Sequence, residues 1–119
     1  MLNLDTHVLI HALAGELTAR ERRTLSGDTW GISAIVLWEL AKLSQLGRIE
    51  LDLGDAEVTR ALSGLHVWPI DLAVSVASTR LDFRSDPADE LIAATSVVHG
   101  VPLVTRDRRI RRSRLVRFG

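Results

Sequence analysis

The sequence of 119 residues contains no cysteine and no tyrosine, and Lys42 is its only lysine. Without cysteine, the chain cannot form disulfides, Cys-ligated zinc sites or iron–sulfur clusters, and thiol catalysis is excluded. Apolar runs such as Ala34–Trp38 are far shorter than the ~20 residues of a membrane-spanning helix. Because Asp5 follows only four residues, no secretory signal pattern is present, and we expect a soluble cytoplasmic protein.

The charged residues are balanced in number but not in position. Fifteen Lys and Arg residues match fifteen Asp and Glu residues. Residues 106–119 contain seven arginines and one acid, so residues 1–105 carry an acidic excess. Arginine recognises phosphate and carboxylate groups better than lysine does. A net charge of zero therefore does not exclude a polyanionic partner.

Short apolar runs alternate with helical patterns, and no repeat, low-complexity segment or linker interrupts them. We predict strands at residues 1–4, 28–32, 65–70 and 101–104, with a final edge strand at 115–118. We predict helices at residues 8–13, 18–25, 34–46, 54–62, 72–81 and 87–99, and a short basic helix after Asp107. This alternation indicates an α/β fold with a mainly parallel central sheet, in a single domain of residues 1–119.

Two acidic residues follow predicted strands. Asp5 comes at the end of the first strand, and Asp107 lies just beyond the strand that ends at Val104. If both strands are central, their carboxylates converge at one edge of the sheet, outside which ligands bind in open α/β folds. Alternatively, each acid caps a helix, or Asp107 pairs with the arginines around it.

Glu39 lies on the apolar side of the predicted helix 34–46. Ile35, Val36, Leu43 and Leu46 fall within about 60° of it around the helix axis. A buried unpaired carboxylate there would cost several kcal/mol or would be neutralised by a raised pKa. A metal ion or an arginine would remove that cost, and a position at the edge of the apolar side would avoid it.

Three more acids lie within the segment Asp86–Glu90, at the start of a predicted helix. Acids are favoured there by the helix dipole, and Asp86 with Asp89 resembles a capping box. Asp89 is less easily explained by capping, because the small residues Ala93 and Ser96 follow it on the same face and leave room for a ligand.

Together Asp5, Glu39, Asp89 and Asp107 are four carboxylates that can share one pocket. Such a cluster repels itself unless a cation neutralises it. Mg²⁺ prefers oxygen ligands, and it activates a bound water for attack and stabilises a leaving oxygen. The pattern predicts metal-dependent hydrolysis of a phosphodiester, which needs no nucleophile from the protein.

The segments around these acids resemble the successive motifs of PIN-domain nucleases, and most closely the VapC-type toxin ribonucleases of bacterial toxin–antitoxin pairs. The matching segments are Leu4–Ile10, Ser33 with Leu37–Leu40, Asp86–Asp89 and Leu103–Asp107. The resemblance covers essentially the whole chain, with the motifs in order and at family-like spacing. Three positions depart from the pattern common in the family: Ser85, Ala88 and Glu90.

The resemblance implies a three-layer α/β/α sandwich and an endoribonuclease that depends on Mg²⁺ or Mn²⁺. It assigns the metal-binding and catalytic roles to Asp5, Glu39, Asp89 and Asp107. It also implies a homodimer and a small cognate antitoxin that blocks the site. Beside the ligands it places Thr6 and Thr105, with Asp86 nearby.

Other functions remain open from the sequence. A PIN-like enzyme of RNA processing, or a module that binds RNA without cutting it, has the same motifs. A receiver-type signalling domain would need a second acid beside Asp5 and a lysine after a late strand, whereas Lys42 lies on a helix. A haloacid-dehalogenase-like phosphatase would need a second Asp where His7 stands.

The arginine-rich segment offers possible RNA contacts at Arg106, Arg108 and Arg109. These arginines can equally pair with the acidic body or with a partner. We expect Trp38 to lie in the core or in an interface, because a chain without tyrosine offers little for reading bases by stacking.

Overall fold

Four short parallel strands form the central sheet in the computed structural model, which describes residues 1–119. They are β1 (Leu2–Leu4), β2 (Trp30–Ser33), β3 (His66–Trp68) and β4 (Leu103–Val104), in the order β3-β2-β1-β4. The chain runs from β1 outward through β2 to β3 and then crosses to the other side of β1 for β4. The strand order therefore reverses between β1 and β4, which is where open α/β sheets bind ligands.

Six helices flank the sheet, and five of them begin at a residue whose side chain accepts a backbone N–H. These caps are Asp5, Thr18, Ser33, Asp55 and Asp71. The helices are α1 (Thr6–Leu13), α2 (Ala19–Ser26), α3 (Ala34–Gln45), α4 (Ala56–Ser63), α5 (Leu72–Ser78) and α6 (Pro87–His99). None of them has the length and hydropathy needed to span a membrane.

Both faces of the sheet are covered, as the α/β/α prediction requires. Consecutive residues of a strand point to opposite faces, and Leu2, Asn3 and Leu4 are all buried. The core contains Leu4 and Ile32 of the sheet with Val36 of α3 and Ile92 of α6, each fully buried. The central strand is thus enclosed between helical layers, and only its ends remain accessible.

The chain after β4 differs from the prediction. The expected basic helix is a single 3₁₀ turn, Ile110–Arg112, which ends where Asp82 binds the hydroxyl of Ser113 and the N–H of Arg114. The expected strand at 115–118 is only one bridge, between Leu103 and Phe118. The N–H groups of Leu115 and Val116 donate to the Ser113 hydroxyl, so they are not available for a longer strand pairing.

Helix α5 also ends earlier than predicted, at Ser78 instead of residue 81. The hydroxyl of Ser78 donates to the carbonyl of Ser75, and that of Thr79 to the carbonyl of Val76. Hydrogen bonds from serine and threonine side chains to nearby carbonyls compete with the backbone hydrogen bonds of a helix. They therefore favour the end of α5 at this position. Hydrophobic periodicity alone does not reveal this end.

Gly31 of β2 lies against the ring of Trp68. A Cβ at this position would come within 2.5 Å of Cζ3 and 2.6 Å of Cη2 of Trp68. We therefore expect Gly31→Ala to lower the free energy of unfolding by about 1–3 kcal/mol, measured by urea denaturation. Gly27→Ala is the control, because nothing lies within 4 Å of its Cβ position. Equal losses in the two variants would contradict the packing argument.

Candidate active site

Asp5 is the buried carboxylate at the centre of the candidate site. It directly follows β1 and caps α1, with its Oδ1 accepting the N–H of Thr6 at 2.7 Å. Its Oδ2 accepts the hydroxyl of Thr105, just after β4, at 2.6 Å. The capping prediction for Asp5 is confirmed. A second bond, across the β1–β4 boundary, fixes the same carboxylate at the switch point of the sheet.

Glu39 projects from α3 toward the same edge and is half-buried. The hydroxyl of Thr6 donates to its Oε1. Burial raises the pKa of Glu39, and the negative charges of Asp89 and Asp5 raise it further, against the opposing effect of the Thr6 bond. No arginine or lysine forms an ion pair with it, so the alternative of an Arg–Glu core pair is wrong.

Asp89 lies in the first turn of α6 and is also half-buried. The hydroxyl of Ser85 donates to its Oδ2 at 2.7 Å. Burial raises the pKa of Asp89 against the effect of that bond, and the charges of Asp5, Asp107 and Asp86 add to the rise. Asp89 therefore shares an electrostatic environment with acids from β1 and from the segment after β4.

Asp107 has a structural role as well as a place near the site. Its Oδ1 accepts the N–H groups of Arg109 at 2.8 Å and of Ile110 at 3.1 Å. Asp107 therefore stabilises the turn that leads into the 3₁₀ helix, although the position directly before that helix is Arg109. Pairing with the surrounding arginines is not observed. Both backbone bonds use Oδ1, which leaves Oδ2 available to a ligand.

The donor set suits a hydrated divalent cation. The charges of Asp5 and Asp89 act on Glu39, and those of Asp5 and Asp107 act on Asp89. None of the three ion pairs in the protein includes any of these four acids. No three His, Asp or Glu side chains form a ready-made ligand group. Mg²⁺ typically takes one or two carboxylates and keeps several waters, so it does not require such a group. The uncompensated charge and the oxygen donors fit such an ion.

Two of the three residues predicted beside the acids make direct contacts with them. Thr6 binds Glu39 and Thr105 binds Asp5, so each hydroxyl orients one carboxylate. Asp86 is different: it occupies the position before α6, but its side chain makes no capping hydrogen bond. The predicted capping box of Asp86 with Asp89 is therefore wrong.

Ser85 and Glu90 form a small network that the sequence reasoning did not find. The Ser85 N–H donates to Oε2 of Glu90 at 3.3 Å, while its hydroxyl holds Asp89. Both residues are among the departures from the expected motif pattern, and the structure joins them. The sequence signal for this network is a serine four residues before Asp89, together with Glu90 directly after Asp89.

Arg106 is engaged in a bidentate ion pair. Its Nε and Nη2 donate to the two carboxylate oxygens of Glu21 at 2.7 and 2.6 Å. The Arg106 guanidinium lowers the pKa of Glu21 to about 2. Of the two alternatives for this arginine, pairing with the acidic body is the one observed. Arg108 and Arg109 are exposed, and their contact with RNA remains a prediction.

A parallel α/β fold with carboxylates from four chain segments near its switch point defines a class of α/β domains with an acidic site. Within that class, the sequence model of the PIN domain matches residues 3–114, and the chain belongs to the PIN-domain family.

Two kinds of relative support this assignment. Ribonuclease VapC22 of Mycobacterium tuberculosis is 40% identical over 91 residues, which cover 73% of this chain and 69% of that protein. A toxin–antitoxin complex from Klebsiella pneumoniae contains a chain of the same fold, with a TM-score of 0.75 at 20% identity, covering 98% of this chain and 95% of that one. VapBC2 of Rickettsia felis, solved with a promoter DNA fragment, gives 0.72 at 19% identity, covering 100% and 98%.

Proposed function

We propose that the protein is a metal-dependent endoribonuclease of the VapC type, the toxin of a toxin–antitoxin pair. The observation that carries this proposal is the set of uncompensated carboxylates at the β1–β4 switch point, where burial and mutual repulsion raise the pKa of Glu39 and Asp89. The 40% identity to Ribonuclease VapC22 supports RNA as the substrate. Residues 1–119 act as a single domain in this proposal.

Asp5, Glu39, Asp89 and Asp107 would hold Mg²⁺ or Mn²⁺. The bound ion would supply the positive charge that balances these carboxylates, and it would activate water for attack on a phosphodiester. Thr105 holds Asp5 and Ser85 holds Asp89, each by a short hydroxyl bond, so the carboxylates are oriented in advance. Thr6 does the same for Glu39. The chain contributes positioning and negative charge, and no side chain is needed as a nucleophile.

The similarity to VapC proteins also suggests the binding partners of this chain. The solved complexes with this fold pair a toxin with an antitoxin, which supports a small cognate antitoxin that covers the acids. We include a homodimer in the proposal because the resemblance to VapC-type ribonucleases implies one. We include a cytoplasmic location because the substrate would be cellular RNA. Arg108 and Arg109, exposed beside Asp107, are the proposed contacts to RNA phosphates.

Cleavage of RNA with and without a divalent cation tests the proposal. A labelled single-stranded RNA incubated with the purified chain should be cut in Mg²⁺ or Mn²⁺ and left intact in a chelator. Monovalent salt at equal ionic strength is the control for non-specific effects. Intact RNA under every metal condition, with the RNA still bound, would establish the non-cleaving RNA-binding alternative instead.

A further inference from the structure

We propose that a pocket between α3 and α6 binds an RNA base next to the cleaved phosphodiester and prefers bases that carry an amino group. The inference rests on the proposed nuclease function and names a substrate feature of the same site. The pocket has a volume of about 490 Å³, within the ~300–1,000 Å³ range of ligand sites. It is lined by Trp38 and Glu39 of α3, by Asp86, and by Pro87, Ala88 and Leu91 of α6.

The pocket adjoins the acidic site directly. Glu39 belongs to both, and Ala88 precedes Asp89 in the first turn of α6. In single-stranded RNA, each base is joined through one ribose to its phosphate. A phosphodiester placed at the carboxylates therefore brings a neighbouring base to this pocket.

Trp38 supplies a flat aromatic surface at this position. It is 56% exposed, although its helix neighbours Val36 and Leu40 are fully buried. Of the two expected places for Trp38, the core is therefore wrong, and an interface stays a prediction. Unpaired bases stack on exposed aromatic rings, and one such contact is enough for a single-base pocket even in a chain without tyrosine.

The charged groups that line the pocket are both acidic, which favours an occupant that donates hydrogen bonds. Asp86, which is not among the proposed metal ligands, accepts hydrogen bonds and repels phosphate, and Glu39 offers a second acceptor. Asp86 makes no capping bond, so its carboxylate is available to accept from a ligand. Adenine, cytosine and guanine carry exocyclic amino donors, whereas uracil carries none. The pocket therefore fits a base with an amino group better than an RNA phosphate, and better than uracil, whose single ring N–H lies between two carbonyl oxygens that a carboxylate repels.

Binding of short RNAs tests this inference without relying on cleavage. Fluorescence anisotropy of labelled oligoadenylate, oligocytidylate and oligouridylate is measured with the full chain carrying Asp5→Asn. We expect tighter binding of the A and C oligomers than of the U oligomer. Adding Trp38→Ala should raise the Kd of the preferred oligomers about tenfold, while Trp38→Phe keeps most of the affinity.

Two further variants make the test specific. Asp86→Ala should reduce the preference for amino-bearing bases. Leu37→Ala removes an exposed side chain of the same helix outside the pocket and should change the Kd less than about twofold.

The outcomes separate this inference from the proposed function. Equal affinity for all three oligomers, or an unchanged Kd in Trp38→Ala, overturns the base pocket. A shift of Trp38→Ala to a smaller species in gel filtration, with RNA affinity unchanged, also overturns it, because another protein chain would then cover the pocket. If the wild type cuts no RNA but shows the expected binding differences, the nuclease proposal fails and the base pocket stands.

Discussion

Replacing Asp5 with asparagine is expected to lower metal-dependent RNA cleavage at least ~100-fold, measured as the rate with a labelled RNA in Mn²⁺ or Mg²⁺. Asparagine keeps the size of the side chain, its oxygen can still accept the Thr6 N–H, and its amide can donate to the Thr105 hydroxyl, so α1 retains its cap. What it loses is the negative charge at the centre of the acidic cluster. The chain should therefore fold normally and fail to cut RNA.

A matched substitution elsewhere controls for this change. Asp55→Asn alters a capping aspartate of α4 in the same chemical way, in a region outside the candidate site. We expect its cleavage rate to stay within about twofold of the wild type, since asparagine caps helices as well as aspartate does. Equal rates for Asp5→Asn and Asp55→Asn would remove Asp5 from the mechanism.

A divalent cation is expected to stabilise the protein strongly at neutral pH. An ion that binds only the folded state raises the free energy of unfolding by about 2.7 kcal/mol at a hundred times its Kd. Thermal melts in Mg²⁺, Mn²⁺ and chelator, at equal ionic strength, measure the effect. A melting temperature independent of both ions at millimolar concentration would contradict a functional cation site.

The stability of the metal-free protein should also depend on pH, because two of the carboxylates have raised pKa values. The pKa of Glu39 is raised from its ordinary value of 4.5, so the folded state holds this proton more tightly than the unfolded state. Stability should therefore fall as the pH rises above about 4.5 and through the raised pKa. Asp89 acts in the same direction from 3.8 upward.

Glu39→Gln isolates the contribution of Glu39. Glutamine can still accept the Thr6 hydroxyl but carries no charge. In chelator, we expect this variant to lose less stability than the wild type between pH 4.5 and 7. It should also gain less from added Mn²⁺. A variant that follows the wild-type pH profile would show that Glu39 is not destabilised by its surroundings.

Much of the fold could be predicted from the sequence because its signals are local. Ser33 and Asp71 cap the helices that they were expected to cap, and the alternation of strands and helices gave the parallel sheet. The end of the chain was predicted less well. There, the course of the backbone depends on Ser113 and Asp82, whose hydrogen bond joins residues 31 positions apart.

For the candidate site, the sequence indicated which acids to consider, and the structure shows that the charges of Asp5, Asp89 and Asp107 act on Glu39 or on each other. Glu39 was conspicuous because a carboxylate on an apolar helix face requires an explanation. The partner of Arg106 is Glu21, 85 residues away, and no local pattern indicates such a pair. The exposure of Trp38, by contrast, follows from its spacing within α3, since it lies two residues, or about 160° around the axis, from both buried residues Val36 and Leu40.

The hydrogen bond between Thr105 and Asp5 has a consequence for the order of folding. It joins residues 100 positions apart, and the central strand β1 is flanked on one side by the last strand, β4. During synthesis from the amino terminus, Asp5 emerges first but can acquire this contact only after Thr105 has left the ribosome. Parallel pairings between distant segments also form slowly. The acidic cluster is therefore assembled last, and an unfinished chain carries the first acid without the segment that completes its site.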